Sequence, residues 1–440
     1  MSVKVRFAPS PTGKLHIGNI RAALVNWLFA KQQNGTFVLR IDDTDVERST
    51  KENEDAIKAD LTWLGLHWDE TFRQSGRFDR YNQIVVALKE AGRLYQCYET
   101  AEELDVKRKI QMGRGMPPVY DRSALLLTET EIEAYEAAGR KPHWRFKLDV
   151  PARVEWNDLI RGRVSIDMAS VSDPILIRED GSFLYTLPSV VDDSDYGITH
   201  IVRGEDHVTN SAVQVQLFEA VGGRVPEMAH FALMTGKGGE GLSKRHGAMS
   251  IGEYRDDAGL EPMSVVSLMA RVGTSEPIEA FVSADALITG FDFAKFSRST
   301  AKLDPADLDT LNAKILHTLP YVAVQSKLVG VSEEMWRAIQ PNLNKLSDVT
   351  DLLKIINGPV TPIIEDADHI TKVRDLLPAG DITSETWSTW TSAIKEKLGV
   401  KGKALFKPLR QALTGQEHGP EMAVLLPLIG RDRILERLDS

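Results

Sequence analysis

Val3-Lys4-Val5-Arg6-Phe7-Ala8-Pro9-Ser10-Pro11-Thr12-Gly13-Lys14-Leu15-His16-Ile17-Gly18-Asn19 is the stretch that decides the fold. Val3, Val5 and Phe7 alternate with Lys4, Arg6 and Ala8, and a period of two predicts a strand. Pro9, Pro11 and Gly13 then make a loop. From about Gly18 to Lys31 the apolar residues Ile20, Leu24, Trp27 and Leu28 recur at helical spacing. A second strand, Phe37 to Ile41, runs into the acidic turn Asp42-Asp43-Thr44-Asp45. Strand, helix, strand at this spacing predicts a βαβ unit and a parallel, nucleotide-binding sheet. The unit carries no Gly-x-Gly-x-x-Gly and the chain no Gly-Lys-Ser/Thr, so neither a dinucleotide dehydrogenase nor a P-loop enzyme is supported.

The chemistry of the same stretch favours anions. A helix starting near Gly18 aims backbone N–H groups and the positive end of its dipole at the preceding loop. Gly18 lets a ligand approach closely, and His16 can either donate to a phosphate oxygen or cap the helix. Arg6 shares its strand face with Ala8 and can reach the carboxyl edge of the sheet. Far downstream, Gly241-Leu242-Ser243-Lys244-Arg245-His246-Gly247 is a glycine-flanked basic loop. Lys244 can serve there as a mobile point charge, with Ser243 as a hydrogen-bonding neighbour. Either segment alone reads equally well as a capped helix or an exposed basic loop.

Outward from these two segments, residues 91 to 182 read as mixed helices and strands, including Trp144 to Leu148, as though inserted. Strand patterns resume at Phe183-Leu184-Tyr185 and at Ile198 to Val202, and beyond about Tyr254 the pattern is almost wholly helical. A chain of 440 residues with 42% hydrophobic and 26% charged residues is expected to form several soluble domains. The formal charge of −10 argues against a nucleic-acid partner. Basic clusters at Lys107-Arg108-Lys109, Arg140 to Lys147, Arg161-Gly162-Arg163 and Lys401 to Arg410 leave that partner open. The first residues lack the apolar core of a signal peptide, and no apolar run approaches ~20 residues, so a cytoplasmic protein is expected. The single Cys97 excludes an internal disulfide and a cysteine-based zinc site.

The two signatures, in this order and more than 200 residues apart, resemble those of class I aminoacyl-tRNA synthetases. The resemblance narrows to the bacterial-type glutamyl-tRNA synthetase family. Arg6 to Gly13, Arg40-Ile41-Asp42-Asp43-Thr44-Asp45, Arg73-Gln74-Ser75 with Arg77, Val190-Val191-Asp192-Asp193 and Val202-Arg203-Gly204-Glu205-Asp206 resemble its motifs. Lys407 to Gly415 resembles the end of its anticodon-binding region. The resemblance implies a Rossmann-like parallel-sheet catalytic domain at 1–91 and 184–252, with an α+β acceptor-stem-binding insertion at 92–183. A helical stem-contact domain at 253–308 and an all-α anticodon-binding domain at 309–440 complete the expected order.

Carried over residue by residue, the resemblance implies a glutamate site of Arg6, Ala8, Ser10, Asp42, Tyr185, Ser189 and Arg203. Two guanidiniums suit two carboxylates, and Asp42 suits the ammonium. It implies an ATP site of His16, Gly18, Asn19, Asp206, His207, Ser243 and Lys244, with His16 and Lys244 as the catalytic pair and Mg²⁺ arriving with ATP. Asp192-Asp193 reads as a turn without a ligand role. Expected partners are tRNA(Glu) and L-glutamate, with tRNA(Gln) added by relaxed specificity, with no DNA and no membrane, and a monomer fits the family.

Several positions depart from the family pattern. Asn19 stands where the class motif ends in histidine, and Gly241 replaces the phosphate loop's first lysine. Asp42 is shorter than the usual glutamate, and Ser189 replaces an asparagine. Some relatives hold zinc through Cys-x-Cys, a tyrosine and another cysteine, where this chain has Cys97-Tyr98-Glu99, Tyr120 and Ala124; no zinc is expected. Discriminating relatives place an arginine near Gln340-Pro341-Asn342, and its absence there leans towards relaxed specificity. The competing readings are a glutaminyl-tRNA synthetase and an inactive RNA-binding relative.

Overall fold

A computed structural model describes residues 2–236, 238–239 and 249–439. The chain divides into two compact units, Met1–Asp257 with Val265–Glu279 and Ser283–Pro305, and Ala258–Ser264 with Ala280–Val282 and Ala306–Ser440.

The first unit opens with β1 (Lys4–Phe7), α1 (Ile17–Gln32), β2 (Thr36–Ile41), α2 (Lys51–Trp63), β3 (Glu70–Arg73) and α3 (Phe78–Glu90). β1 pairs parallel with β2, Arg6 opposite Val38, and β2 pairs parallel with β3. The expected βαβ unit is therefore present. Helix α1 buries Ile17, Ile20, Leu24 and Leu28 against the sheet and leaves through Asn34, which takes a left-handed φ of 49°. Gly35 follows because a Cβ there would lie 2.4 Å from the Val3 carbonyl oxygen. The chain returns to β2 through a gap that only glycine passes.

An intervening segment comprises β4 (Leu94–Cys97), α4 (Ala101–Gly113), α5 (Glu129–Ala137), β5 (His143–Phe146), β6 (Arg153–Asp158), β7 (Gly162–Asp167) and β8 (Ile175–Ile177). β4, β5 and β8 form an antiparallel sheet, and β6 and β7 form a hairpin. Neither α4 nor α5 buries a residue.

The chain then continues through α6 (Thr186–Asp195), β9 (His200–Gly204), α7 (Val208–Ala220), β10 (Glu227–Phe231) and β11 (Met234–Gly236). β9 pairs parallel with β10. The Thr199 N–H donates to the Lys4 carbonyl at 2.8 Å, and the Lys4 N–H to Thr199 Oγ1 at 2.8 Å. These bonds lay the start of β9 beside β1, as the sequence pattern predicted, with β9 and β10 forming their own two-stranded ladder.

Two local readings change. Of Phe183-Leu184-Tyr185, only Phe183 pairs, through a single bridge to Ile177, and Tyr185 caps α6. Pro188 lies in the first turn of α6, where its missing N–H costs no helical bond. Asp192 and Asp193 are buried inside α6 rather than in a turn.

The predicted helical back is observed, interrupted in the first unit by a short strand, Ala301–Leu303, parallel to β11. The second unit packs its helices around Trp336 and Trp390. Their indole N–H groups donate to the carbonyls of Leu319 and Val373 at 2.9 and 2.8 Å, so neither ring is buried with an orphan donor. Among the described residues no helix is long and apolar enough to cross a membrane.

Candidate active site

The carboxyl ends of β1, β2 and β9 open on a cavity of about 520 Å³. Of the residues expected at the site, Arg6, Ala8, His16, Gly18, Asn19, Asp42, Tyr185, Ser189, Arg203, Asp206 and His207 all line it. Ser10 is exposed and does not. Segments separated by nearly 200 residues thus meet where a doubly wound sheet places its ligand.

The start of α1 is organised by a reciprocal cap. Its N-cap, His16, accepts from the Gly18 N–H at Nδ1 (3.2 Å), and Asn19 Oδ1 accepts from the His16 N–H (3.1 Å). The Asn19 and Ile20 N–H groups donate to the His16 carbonyl. Fewer backbone donors are therefore left for an anion than the sequence suggests. An imidazole accepting at Nδ1 carries its proton on Nε2 when neutral, so the cap fixes the tautomer of His16 as an Nε2 donor. A Cβ on Gly18 would stand 3.1 Å from two atoms of that ring, so glycine makes room for the cap itself.

Four arginines line the cavity, Arg6, Arg21, Arg40 and Arg203, against two aspartates, Asp42 and Asp206. They are not equivalent. Arg40 is spent on the protein: it forks onto both oxygens of Asp42 (2.6 and 3.0 Å) and reaches Asp193 at 2.8 Å and Ser189 Oγ at 3.1 Å. Burial opposes its charge, but Asp42 and Asp193 more than offset this and hold its pKa above the ordinary value. Arg6 is anchored through Nε to both oxygens of Asp193 (3.1 and 3.2 Å).

Arg203, by contrast, donates among the described residues to neutral oxygens, those of Ser211 and Gln214, each at 2.6 Å, and its buried Nε has no partner among them. Burial, and then the nearby Arg6, lower its pKa to about 10. Arg21 is buried between the rings of Phe231 and Phe296, at 5.4 and 5.9 Å, with Nε and Nη1 unpartnered. Burial lowers it as well, to about 10. Two guanidiniums, Arg21 buried and Arg203 half-buried, that form no ion pair among the described residues suit the cavity to an anionic ligand.

The residues that hold these groups stand in motifs already named, but no supporting role is legible for them in the sequence. Asp193 joins Arg6 of β1 to Arg40 of β2. Its neighbour Asp192 accepts from Arg77 (2.6 Å), Gln74 (2.9 Å) and the Tyr81 hydroxyl. An Asp-Asp pair at the end of a short pattern looks like a turn, and the available signal was the run of apolar residues before it. Arg21 carried none beyond its place one turn after Ile17.

Residues 2–310 match the catalytic-domain family "tRNA synthetases class I (E and Q)", and residues 330–440 match the "Anticodon binding domain" family. Glutamate–tRNA ligase 1 of Maricaulis maris is 58% identical over 439 residues, covering 99% of this chain and 98% of its own. The chain belongs to the glutamate–tRNA ligase family. Glutamate–tRNA ligase 2 of Hyphomonas neptunium is 55% identical over 441 residues, with 99% of each chain covered. A crystal structure of a glutamate tRNA ligase from Elizabethkingia meningosepticum, in complex with its amino acid, superposes with a TM-score of 0.84 at 27% identity, covering 100% of this chain and 99% of the other. The glutamate–tRNA ligases are class I aminoacyl-tRNA synthetases, a class that uses ATP.

Two expected residues of the ligase, Ser243 and Lys244, lie outside the described residues with the rest of the 241–247 loop. The zinc-binding stretch of some relatives can be compared directly. Pairing of β4 with β5 sets Cys97 opposite His143, and Glu99 joins them, with ligand atoms within 4.8 Å of one another. Glu99 Oε1 already accepts from Tyr120 (2.8 Å), Ser123 (3.0 Å) and Lys107 (3.2 Å), while Glu99 Oε2 and His143 Nε2 are without partners. This set is one donor short of the four that structural zinc takes, and its carboxylate faces an ammonium.

Proposed function

We propose that the cavity binds L-glutamate and ATP side by side, and that Arg203 and Arg6 receive the substrate's two carboxylates. The observation that carries this reading is Arg203, a half-buried guanidinium on the cavity wall that forms no ion pair with a carboxylate among the described residues. Asp42 keeps free lone pairs beyond its fork with Arg40 and is the acid available to the ammonium. His16 Nε2–H, Asn19 and the start of α1 face the phosphates, with Asp206 and His207 on the nucleoside side. Ser243 and Lys244 complete the site from the 241–247 loop.

In the first step an oxygen of the α-carboxylate attacks the α-phosphorus of ATP, and the bond to the β-phosphate breaks to release pyrophosphate. In the second, a hydroxyl of the terminal ribose of tRNA(Glu) attacks the activated carbonyl, loses its proton and displaces AMP. No enzyme nucleophile is required, so catalysis is positioning and stabilisation of phosphate charge. Mg²⁺ would come with the triphosphate and neutralise part of its charge. The ligase works as a cytoplasmic monomer in this reading, and the lack of an arginine at Gln340-Pro341-Asn342 favours charging of tRNA(Gln) as well.

Charging of purified tRNA(Glu) and tRNA(Gln) transcripts with labelled glutamate, side by side, tests this. Both should be charged. Charging of tRNA(Glu) alone discards the relaxed specificity, and charging of neither overturns the assignment.

A further inference from the structure

A buried chain of hydrogen bonds ends on Arg203. His230, on β10, is fully buried; its Nδ1 lies 2.5 Å from Asp158 Oδ2 and its Nε2 2.7 Å from Ser211 Oγ. Ser211, on α7, in turn accepts from Arg203 Nη2 at 2.6 Å. Asp158, at the end of β6, is held from every side. Oδ1 accepts from the backbone N–H groups of Ile160, Arg161 and His230 at 3.1, 3.0 and 3.1 Å, and Oδ2 also accepts from Trp156 Nε1 at 3.3 Å.

These donors fix the proton on the Asp158 side of the chain. Burial opposes the charge of Asp158, but the His230 ring and the backbone N–H groups outweigh it and bring the carboxyl down to about 2. An ionised Asp158 takes the proton of Nδ1, so the neutral ring accepts at Nε2. Ser211 has one O–H, for which the ring Nε2 at 2.7 Å and the His207 carbonyl at 3.1 Å both compete, and its lone pairs are left for Arg203 in either case. Gln214 Oε1 accepts from the same Nη2. The order Asp–His–Ser is that of a nucleophilic triad, yet Ser211 is fully buried and absent from the cavity wall, so it has no substrate to attack.

The remaining role is mechanical. Arg203 has several rotatable bonds and, among the described residues, no ion-pair partner to hold it. A carboxylate partner would fix it, but would also consume the charge that the substrate needs. Neutral acceptors fix it and leave the charge intact. We propose that Asp158, His230 and Ser211 are positioning residues that hold Arg203 in the orientation that receives a substrate carboxylate. They tie the β6–β7 hairpin, which lies in the intervening segment, to the amino-acid site. The proposal rests on reading Arg203 as a glutamate ligand.

Pyrophosphate exchange into ATP, with tRNA present and the full-length chain, separates the two ideas. Ser211→Ala removes one oxygen and should raise the KM for glutamate about 10-fold, the effect of one charge-assisted bond. The KM for ATP should stay within about two-fold, a split that a general loss of structure would not produce. His230→Leu should act in the same direction, and His230→Gln, which can still meet Ser211, should recover part of the loss. In the double variant with Arg203→Lys, the serine change should add nothing further.

If Arg203→Lys leaves the KM for glutamate unmoved, the reading of Arg203 as a substrate ligand fails. If Arg203→Lys raises it and Ser211→Ala does not, the positioning proposal is overturned while that reading stands. Should His230→Leu fail to fold, the serine variant and its double decide alone.

Discussion

Asp193→Asn is the sharpest test of the site's internal support. Asp193 is the carboxylate that Arg6 and Arg40 share, and the three side chains are 3%, 7% and 2% exposed, so water screens none of them. Breaking a buried pair by removing one partner costs about 3–5 kcal/mol, because a charge is left behind without compensation. Arg40 keeps its fork onto Asp42, which puts the expected cost at the low end, about 3 kcal/mol. For a unit of this size that is a fall of about 5 °C in its melting midpoint, read by differential scanning calorimetry. The same variant frees Arg6 from its Nε anchor, so the KM for glutamate should rise about 10-fold while that for ATP changes little. A transition moved by less than about 2 °C, with the KM for glutamate unchanged, would refute the claim that Asp193 supports both arginines.

Lys244→Ala should depress the activation rate by about 10²-fold or more with little change in the KM for glutamate, as expected of a charge felt only by the phosphates; single-turnover adenylate formation reads it. Gly18→Ala presses a methyl group against the His16 ring at 3.1 Å and should raise the KM for ATP several-fold while leaving the melting temperature within about 4 °C. Asp60, buried on α2 beside Arg255, is pushed by burial from 3.8 up to about 6. A carboxyl raised on folding is fully favourable only below its unfolded pKa, and that contribution is lost as pH rises through the folded one. Asp60→Asn should therefore stabilise the chain by about 2 kcal/mol at pH 7.5, net of the Arg255 contact, and by nothing near pH 3.5; melts at the two pH values show the difference.

Much of the architecture was legible because it is written in local periods. The alternation of Val3, Val5 and Phe7 and the helical spacing of Ile20, Leu24 and Leu28 specify β1 and α1 without reference to anything distant. The apolar positions beyond Tyr254 do the same for the helical back. Arg6, His16 and Arg203 were named from their motifs, and the structure brings them to one cavity. What local pattern could not show is pairing. Nothing near Asp193 says that two arginines from earlier strands will close on it, and nothing near His143 says that it will face Cys97 across a ladder. The capping use of His16 was visible only as one of two options. The two are compatible, since a cap at Nδ1 leaves Nε2 as the donor.

The bonds between Thr199 and Lys4 have a consequence for how the molecule is made. The two residues are 195 positions apart, and β1 leaves the ribosome long before β9 exists. At about 5–20 residues per second, roughly 10–40 s of synthesis separate them. For that interval β1 can pair with β2 on one side only, and its other edge is open to any strand in reach. Lys4, at the start of that waiting edge, is the kind of charge that discourages a wrong partner. The residue that later lies beside β9 thus guards its place in the sheet while the intervening segment is still being translated.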